Sequence, residues 1–438
     1  MQFLKSTSLV NIAAILLVFI SFDKGFSQIN SPYSRYGLGD VYNSRNAATK
    51  GMGGLSSTYV DGQAVNFLNP ASYSRLQTVT FDVGLEFESR TLTNQANSDK
   101  YKSGNSTFNY VALGLPLKKN KQGLSVWGMS LGLRPSTKMN YKISEDSRLA
   151  GIDSISTTYE GSGGANYAFL GTGFRIKNLS VGINAGFYFG QLDVKTQRSF
   201  INDTVSYFPS NYESQTSFNK IHVDAGLQYD IHVNPTSVVR LAATGFLGET
   251  MKGKRDVLRE TIVYSVSGSF DSVDVVQHDK EIRGDIKLPV GYTVGLLYEK
   301  RGKFMIGAEL EKVKWSDYRF YGESSGLANS TTLRVGGQWN PTPTLKGYFS
   351  RVTYRAGFYT GKDPLIINGS QLPVWGGSFG FGLPIRRWSS YSNQFTAINT
   401  AFEFGKRGKS NQPVTESFFK ISIGLCLSDL WFNKRKFD

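Results

Sequence analysis

Leu179-Ser180-Val181-Gly182-Ile183-Asn184-Ala185-Gly186-Phe187-Tyr188-Phe189-Gly190 is the stretch that decides the fold. Odd positions are apolar, and even positions are mostly small or polar. This period of two belongs to a strand with one face in an apolar medium and the other in a polar one. The pattern recurs at Val79, Phe81, Val83, Leu85 and Phe87, and again from Ile221 to Ile231. It returns on the even numbers from Ile286 to Tyr298, and once more at Phe419, Ile421, Ile423, Leu425 and Leu427. Strands of soluble sandwiches run about 5–6 residues. Most of these runs reach about 10 or more, the length a tilted strand needs to cross a bilayer.

Extending the pattern gives fourteen strands, at 77–90, 105–118, 123–142, 155–176, 178–198, 216–233, 237–255, 280–300, 303–320, 328–340, 347–361, 373–386, 394–406 and 416–430. Short connections (118–123, 176–178, 233–237) alternate with longer ones (91–104, 143–154, 199–215, 256–279). The fold class expected is all-β: a 14-stranded antiparallel transmembrane β-barrel with periplasmic turns and external loops. Tyr298, Trp315, Tyr318, Tyr321, Trp339, Trp375, Trp388, Trp431 and Phe432 fall near strand ends, where aromatic residues meet the membrane–water interface.

Composition narrows the function classes. The chain has 438 residues, 47 of them Gly and 1 Cys, which excludes a disulfide scaffold and a Cys-based zinc site. Lys5 followed by the apolar run Ile12–Phe22 and by Gly25-Phe26-Ser27 reads as a signal peptide over 1–27, cut before Gln28. The destination is then the outer membrane of a Gram-negative cell envelope. The formal charge of +15 points toward lipid headgroups, lipopolysaccharide or an acidic partner, not nucleic acid, because an exported chain rarely meets nucleic acid. Scattered solvated lysines are the simpler account of it.

Residues 28–75 precede the first strand and combine apolar residues with Gly37, Gly39, Gly51, Gly53, Gly54, Gly62, Pro32 and Pro70. This mixture does not read as disordered. We expect it to fold into the lumen as an N-terminal plug, with 76–438 forming the barrel. Gly182, Gly186, Gly190, Gly226, Gly291 and Gly295, on inward positions, leave room for it.

Ala47-Ala48-Thr49-Lys50-Gly51-Met52-Gly53-Gly54, Asp61-Gly62-Gln63-Ala64 and Asn69-Pro70-Ala71 resemble the N-terminal hatch of the FadL long-chain fatty-acid transporter family. Leu288-Pro289 with Gly295 and Tyr298, Trp315-Ser316-Asp317-Tyr318, and Leu333-Arg334-Val335-Gly336 followed by Pro341 and Arg355-Ala356-Gly357 are similar too, in family order. The resemblance implies a hatched 14-stranded barrel and passive uptake of hydrophobic or amphipathic small molecules. The ending Asp429-Leu430-Trp431-Phe432-Asn433-Lys434-Arg435-Lys436 resembles the FadL-like branch found with type IX secretion. Some members of that branch are accessory subunits of secretion or barrel-assembly complexes, so a large outer-membrane barrel is a second candidate partner.

Arg334, Arg351 and Arg355 fall on inward positions of neighbouring strands, with Glu299 and Glu309 on the preceding pair. They would bind a ligand carboxylate or form salt bridges that hold the plug. Asp82, Glu86, Asp224 and Asp230 read the same way. Pro289 lies inside a strand, where its missing N–H demands a kink or bulge, which could open a lateral exit. No catalytic residue, metal site or cofactor is expected. His222 and His232 lie about 33 Å apart on one strand, and His278-Asp279 sits in an expected external loop without a nucleophile. Cys426 takes a buried position in the last strand.

Overall fold

The structure, a computed structural model, describes residues 31–429 except 43, 97, 149–153, 202–206, 266–268, 342–346 and 386–394. The signal peptide and the residues after 429 lie outside the described residues. Fourteen antiparallel strands form a closed ring: β1 (Val79–Asn94), β2 (Lys100–Lys119), β3 (Ser125–Arg148), β4 (Ser154–Ile176), β5 (Leu179–Phe200), β6 (Ser210–Asn234), β7 (Ser237–Phe246 continued by Thr250–Tyr264), β8 (Phe270–Lys287 continued by Gly291–Lys300), β9 (Phe304–Val313), β10 (Ser330–Trp339), β11 (Thr353–Ile367), β12 (Ser370–Ile385), β13 (Phe395–Arg407) and β14 (Val414–Asp429). Closure is made by β14 on β1, in register from Val414 opposite Asn94 to Asp429 opposite Val79.

Polarity is inverted relative to a soluble protein. Leu170, Ile183, Phe187, Ile221, Leu241, Val294 and Ile306 are exposed, while Ser180, Asn184, Gln228, Asp230, Arg240 and Glu309 are buried. That is what a barrel in lipid requires, apolar outside and polar inside. Among the described residues no helix is long and apolar enough to cross a membrane.

The wall is uneven. β9 and β10 have 10 residues each, enough to span the hydrocarbon layer, whereas β3 to β6 have 24, 23, 22 and 25. The expected loops 91–104, 143–154 and 256–279 are therefore largely strand. Beyond the bilayer both faces of a strand meet water, so the apolar alternation fades while the ladder continues. His278 consequently lies in β8, not in a loop. The gap at 362–372 shrinks to a two-residue turn at Asn368-Gly369, both with positive φ (50° and 71°), the Asn-Gly hairpin signal.

Two splits interrupt the upper wall. β3 pairs with β2 only as far as Leu133, opposite Val111; above it, Asp40 and Val41 pair with Lys138 and Thr137 instead. β8 breaks at 288–290, where Pro289 lies as expected, and β7 breaks beside it at 247–249, joined by Leu288 N–H to Glu249 O at 2.7 Å. β9 pairs only with the lower arm of β8. Lys314 N–H donates to Val290 O, so the chain leaves the ring there, ending β9 earlier than the expected 320, and Arg319–Phe320 then pair with the upper arm of β8.

Candidate functional site

The site is built where the N-terminal segment meets the inner face of the ring. Asn46 caps the single turn α1 (Ala47–Lys50) by accepting from Thr49 N–H at 2.8 Å. Asn69 caps the turn Pro70–Arg75 by accepting from Ala71 N–H at 3.1 Å, and it donates to Ser57 O at 2.6 Å. Gly53 (φ 68°) and Gly54 (φ 83°) adopt the left-handed conformation that favours glycine, and a Cβ on Gly53 would stand 2.8 Å from Phe358 N.

Barrel glycines receive the segment from all sides. A Cβ on Gly182 would meet Pro70 at 2.3 Å, one on Gly226 would meet Asn69, one on Gly295 would meet Ser57, and ones on Gly336 and Gly357 would meet Met52. These strands lie around a closed ring and touch the segment with the same face, so the described contacts of the segment are with the inner side of the wall. Gly186 and Gly190 instead crowd neighbouring strands, and Gly291 faces Phe246. An apolar cluster (Val65, Phe67, Tyr73, Leu76 with Tyr110, Tyr167 and Phe169) packs the segment against β2 and β4.

Buried charges tie it down. Glu309 accepts Ser56 and Ser57 N–H at 2.9 and 2.8 Å and lies 3.4 Å from Arg45. Arg45 and Arg334 share Glu311 at 2.8 and 3.0 Å. Lys50 pairs with Glu86, which Lys420 also approaches at 3.7 Å. Arg75 and Arg240 share Asp230 at 2.5 and 2.8 Å, and Arg240 reaches Glu299 at 3.2 Å. Asp82 accepts from Tyr110 OH at 2.9 Å, and Asp224 from Asn184 at 2.7 Å. Removing one member of such a pair leaves the other charge buried and uncompensated, at a cost of about 3–5 kcal/mol.

At the outer mouth, Arg407 contacts Asp40, Asp363 and Glu416, and Arg90 contacts Glu88 and Glu416. Ser31 donates to Glu416 at 2.6 Å and Tyr33 OH to Val414 O at 2.5 Å. The Tyr33 hydroxyl is pushed up to about 12, chiefly by burial and then by Glu416. Tyr318 is buried here, while Trp315, Tyr321 and Leu327 pack against the same cluster, so this part of the expected aromatic belt closes the mouth instead. Trp339 and Trp375 are exposed, as an interface position requires. The cavity left between Tyr33–Val41, Leu327, Asp363–Leu365 and Arg407 measures about 20 Å³, room for about one water.

The arginine trio is not one cluster. Arg351 lies exposed in the turn Phe349–Arg351 before β11, not on an inward strand position. The reason is that β11 begins at Thr353 rather than 347. Arg355 donates to Gln338 at 2.8 Å and Asn399 at 2.9 Å, away from the Arg334–Glu311 pair. Cys426 is buried, with Asn399 donating to its Sγ at 3.4 Å. His222 sits among Tyr167, Tyr188 and Phe246, whereas His232 contacts Arg301. The pairing roles of three of the segment's basic residues, Arg45, Lys50 and Arg75, escaped the sequence reading, in which Lys50 entered only as part of the hatch motif.

Several solved structures share this fold. They include the Pseudomonas putida toluene transporter TodX (13% identity, TM-score 0.54, covering 90% of this chain and 100% of that one). A Pseudomonas aeruginosa FadL homologue follows at 11% identity and TM-score 0.54, with 89% and 99% covered. The CymD monoaromatic hydrocarbon channel is similar at 14% identity and TM-score 0.51, with 91% and 100% covered. The barrel architecture of FadL-type outer-membrane channels is thus present, while no curated protein matches the chain. A family model described as BamG matches residues 8–438, nearly end to end, and the chain belongs to the BamG family.

Proposed function

We propose that, after removal of residues 1–27, the protein resides in the outer membrane as a barrel (76–438) stoppered by a hatch (28–75), and that it serves as a structural or accessory subunit of an outer-membrane secretion or barrel-assembly complex. One observation carries this reading. The bore holds charges contributed by the hatch and by the wall, paired across their interface, as in Arg45–Glu311, Lys50–Glu86 and Arg75–Asp230. A conduit for apolar solutes needs the opposite lining, because transferring an apolar molecule past fixed charges gains nothing from the hydrophobic effect. The C-terminal resemblance to the branch found with type IX secretion agrees with it.

The second reading is passive uptake of a hydrophobic or amphipathic small molecule, favoured by the fold shared with hydrocarbon channels. It would use Arg334 and Arg355 for a ligand carboxylate and the break at Pro289 as a lateral exit, and it requires the hatch to shift. Purification in mild detergent followed by native mass spectrometry separates the two. A large barrel partner retained at fixed stoichiometry supports the subunit reading. The lone protein carrying a bound apolar ligand overturns it.

A further inference from the structure

Where β3 to β8 rise above the lipid-facing band, their register builds two parallel rows of outward side chains. Lys142, Glu160, Lys195, Glu213, Leu258 and His278 are successive cross-strand partners. So are Asn140, Ser162, Asp193, Gln215 and Asp256. Of the residues between the rows, Tyr141, Gly161, Ser214 and Val257 are buried and Val194 is half-buried, which directs both rows outward. Between the rows runs a trough of about 560 Å³, lined by both and floored by backbone. Six strands at about 4.8 Å spacing make it about 24 Å long.

The lining fixes the ligand class. Lys142–Glu160 (2.6 Å) and Lys195–Glu213 (3.1 Å) form one wall, and Gln191 and Gln215 donate to Asp193 at 3.0 and 2.9 Å in the other. Lys and Glu alternate over the first four positions of one wall, and the other mixes amide, hydroxyl and carboxylate groups, so donors and acceptors lie side by side, which suits vicinal hydroxyls. Four carboxylates (Glu160, Asp193, Glu213, Asp256) face two ammonium groups (Lys142, Lys195), a balance that selects the neutral hydroxyls of a sugar chain over its phosphorylated positions. The trough opens on the same face as Ile183, Phe187 and Phe189, which are exposed to lipid. Asp193 follows Phe189 by four residues, about 13 Å along the strand, so the trough lies in the headgroup layer.

We propose that this trough seats the sugar chain of an outer-leaflet glycolipid whose acyl tails lie against the β5 column below it. The test uses the full protein in detergent with three probes: purified rough lipopolysaccharide, its delipidated oligosaccharide, and oligolysine. Asp193→Ala combined with Gln215→Ala should weaken lipopolysaccharide binding about tenfold, the worth of one to two net hydrogen bonds. Lys254→Ala, on the same strands but outside the trough, should leave it unchanged, and heat-modified gel mobility verifies that both variants fold. Oligosaccharide binding that is weaker than that of intact lipopolysaccharide, and lowered by the same pair of substitutions, supports the glycolipid. Equal lipopolysaccharide binding by wild type and the double variant overturns the proposal. Oligolysine binding that the double variant abolishes, with lipopolysaccharide unaffected, overturns it in favour of a basic polypeptide.

Discussion

The bore and the upper wall carry the same chemistry in opposite settings. Inside, Arg45, Lys50 and Arg75 meet carboxylates that are almost wholly buried; on the upper wall, Lys252–Asp285 and Lys254–Glu281 face each other at 2.6 and 3.1 Å with all four side chains more than half exposed. Similar distances conceal different consequences. Water screens the exposed pairs, whose worth is about 0–1 kcal/mol. The buried pairs cannot be broken one-sidedly without stranding a charge. Burial, not pairing, decides which of these contacts holds the molecule together.

The sharpest way to break that contrast is Glu309→Ala, which removes the acceptor of two hatch N–H groups and a partner of Arg45. A loss of about 3–5 kcal/mol is expected, read as a lower denaturant midpoint in detergent and new protease cleavage within residues 31–78. Gly182→Val is next. Its side chain would collide with Pro70 backbone, and overpacking costs about 1–3 kcal/mol, visible as a lower melting temperature with the hatch cleavable. Pro289→Ala restores a backbone donor at the break in β8, and its effect on stability should stay within about 1 kcal/mol. Hydrogen exchange at 288–290 reports whether the break closes. Lys254→Ala should change the midpoint by less than about 0.5 kcal/mol. A large loss there, or none at Glu309, would erase the distinction between the two regions.

Much of this was legible in the chain itself. Fourteen strands were readable because lipid on one side and a polar bore on the other impose a period of two on each, as at Leu179–Gly190. The hatch glycines stood out because only glycine tolerates such approach to a strand. Strand ends were harder. Residues 256–264 and 270–279 lie beyond the bilayer, where no apolar face is required, so their ladder left no pattern. Arg351 was misplaced for the same reason: a strand start two positions past Arg351 turns an inward residue into a turn residue. The bore's pairings were half visible, since the wall carboxylates are aligned by alternation, but their hatch partners come from irregular backbone with no period to read.

The ring's seam is fastened from within. Asp82 accepts Val65 N–H and Glu86 holds Lys50 on β1, while Glu416 holds Ser31 and Ser428 donates to Gln63 O on β14. The leading segment therefore bridges the two edges whose pairing closes the cylinder. Closure of the ring and docking of the segment are thereby coupled, since weakening these contacts weakens both.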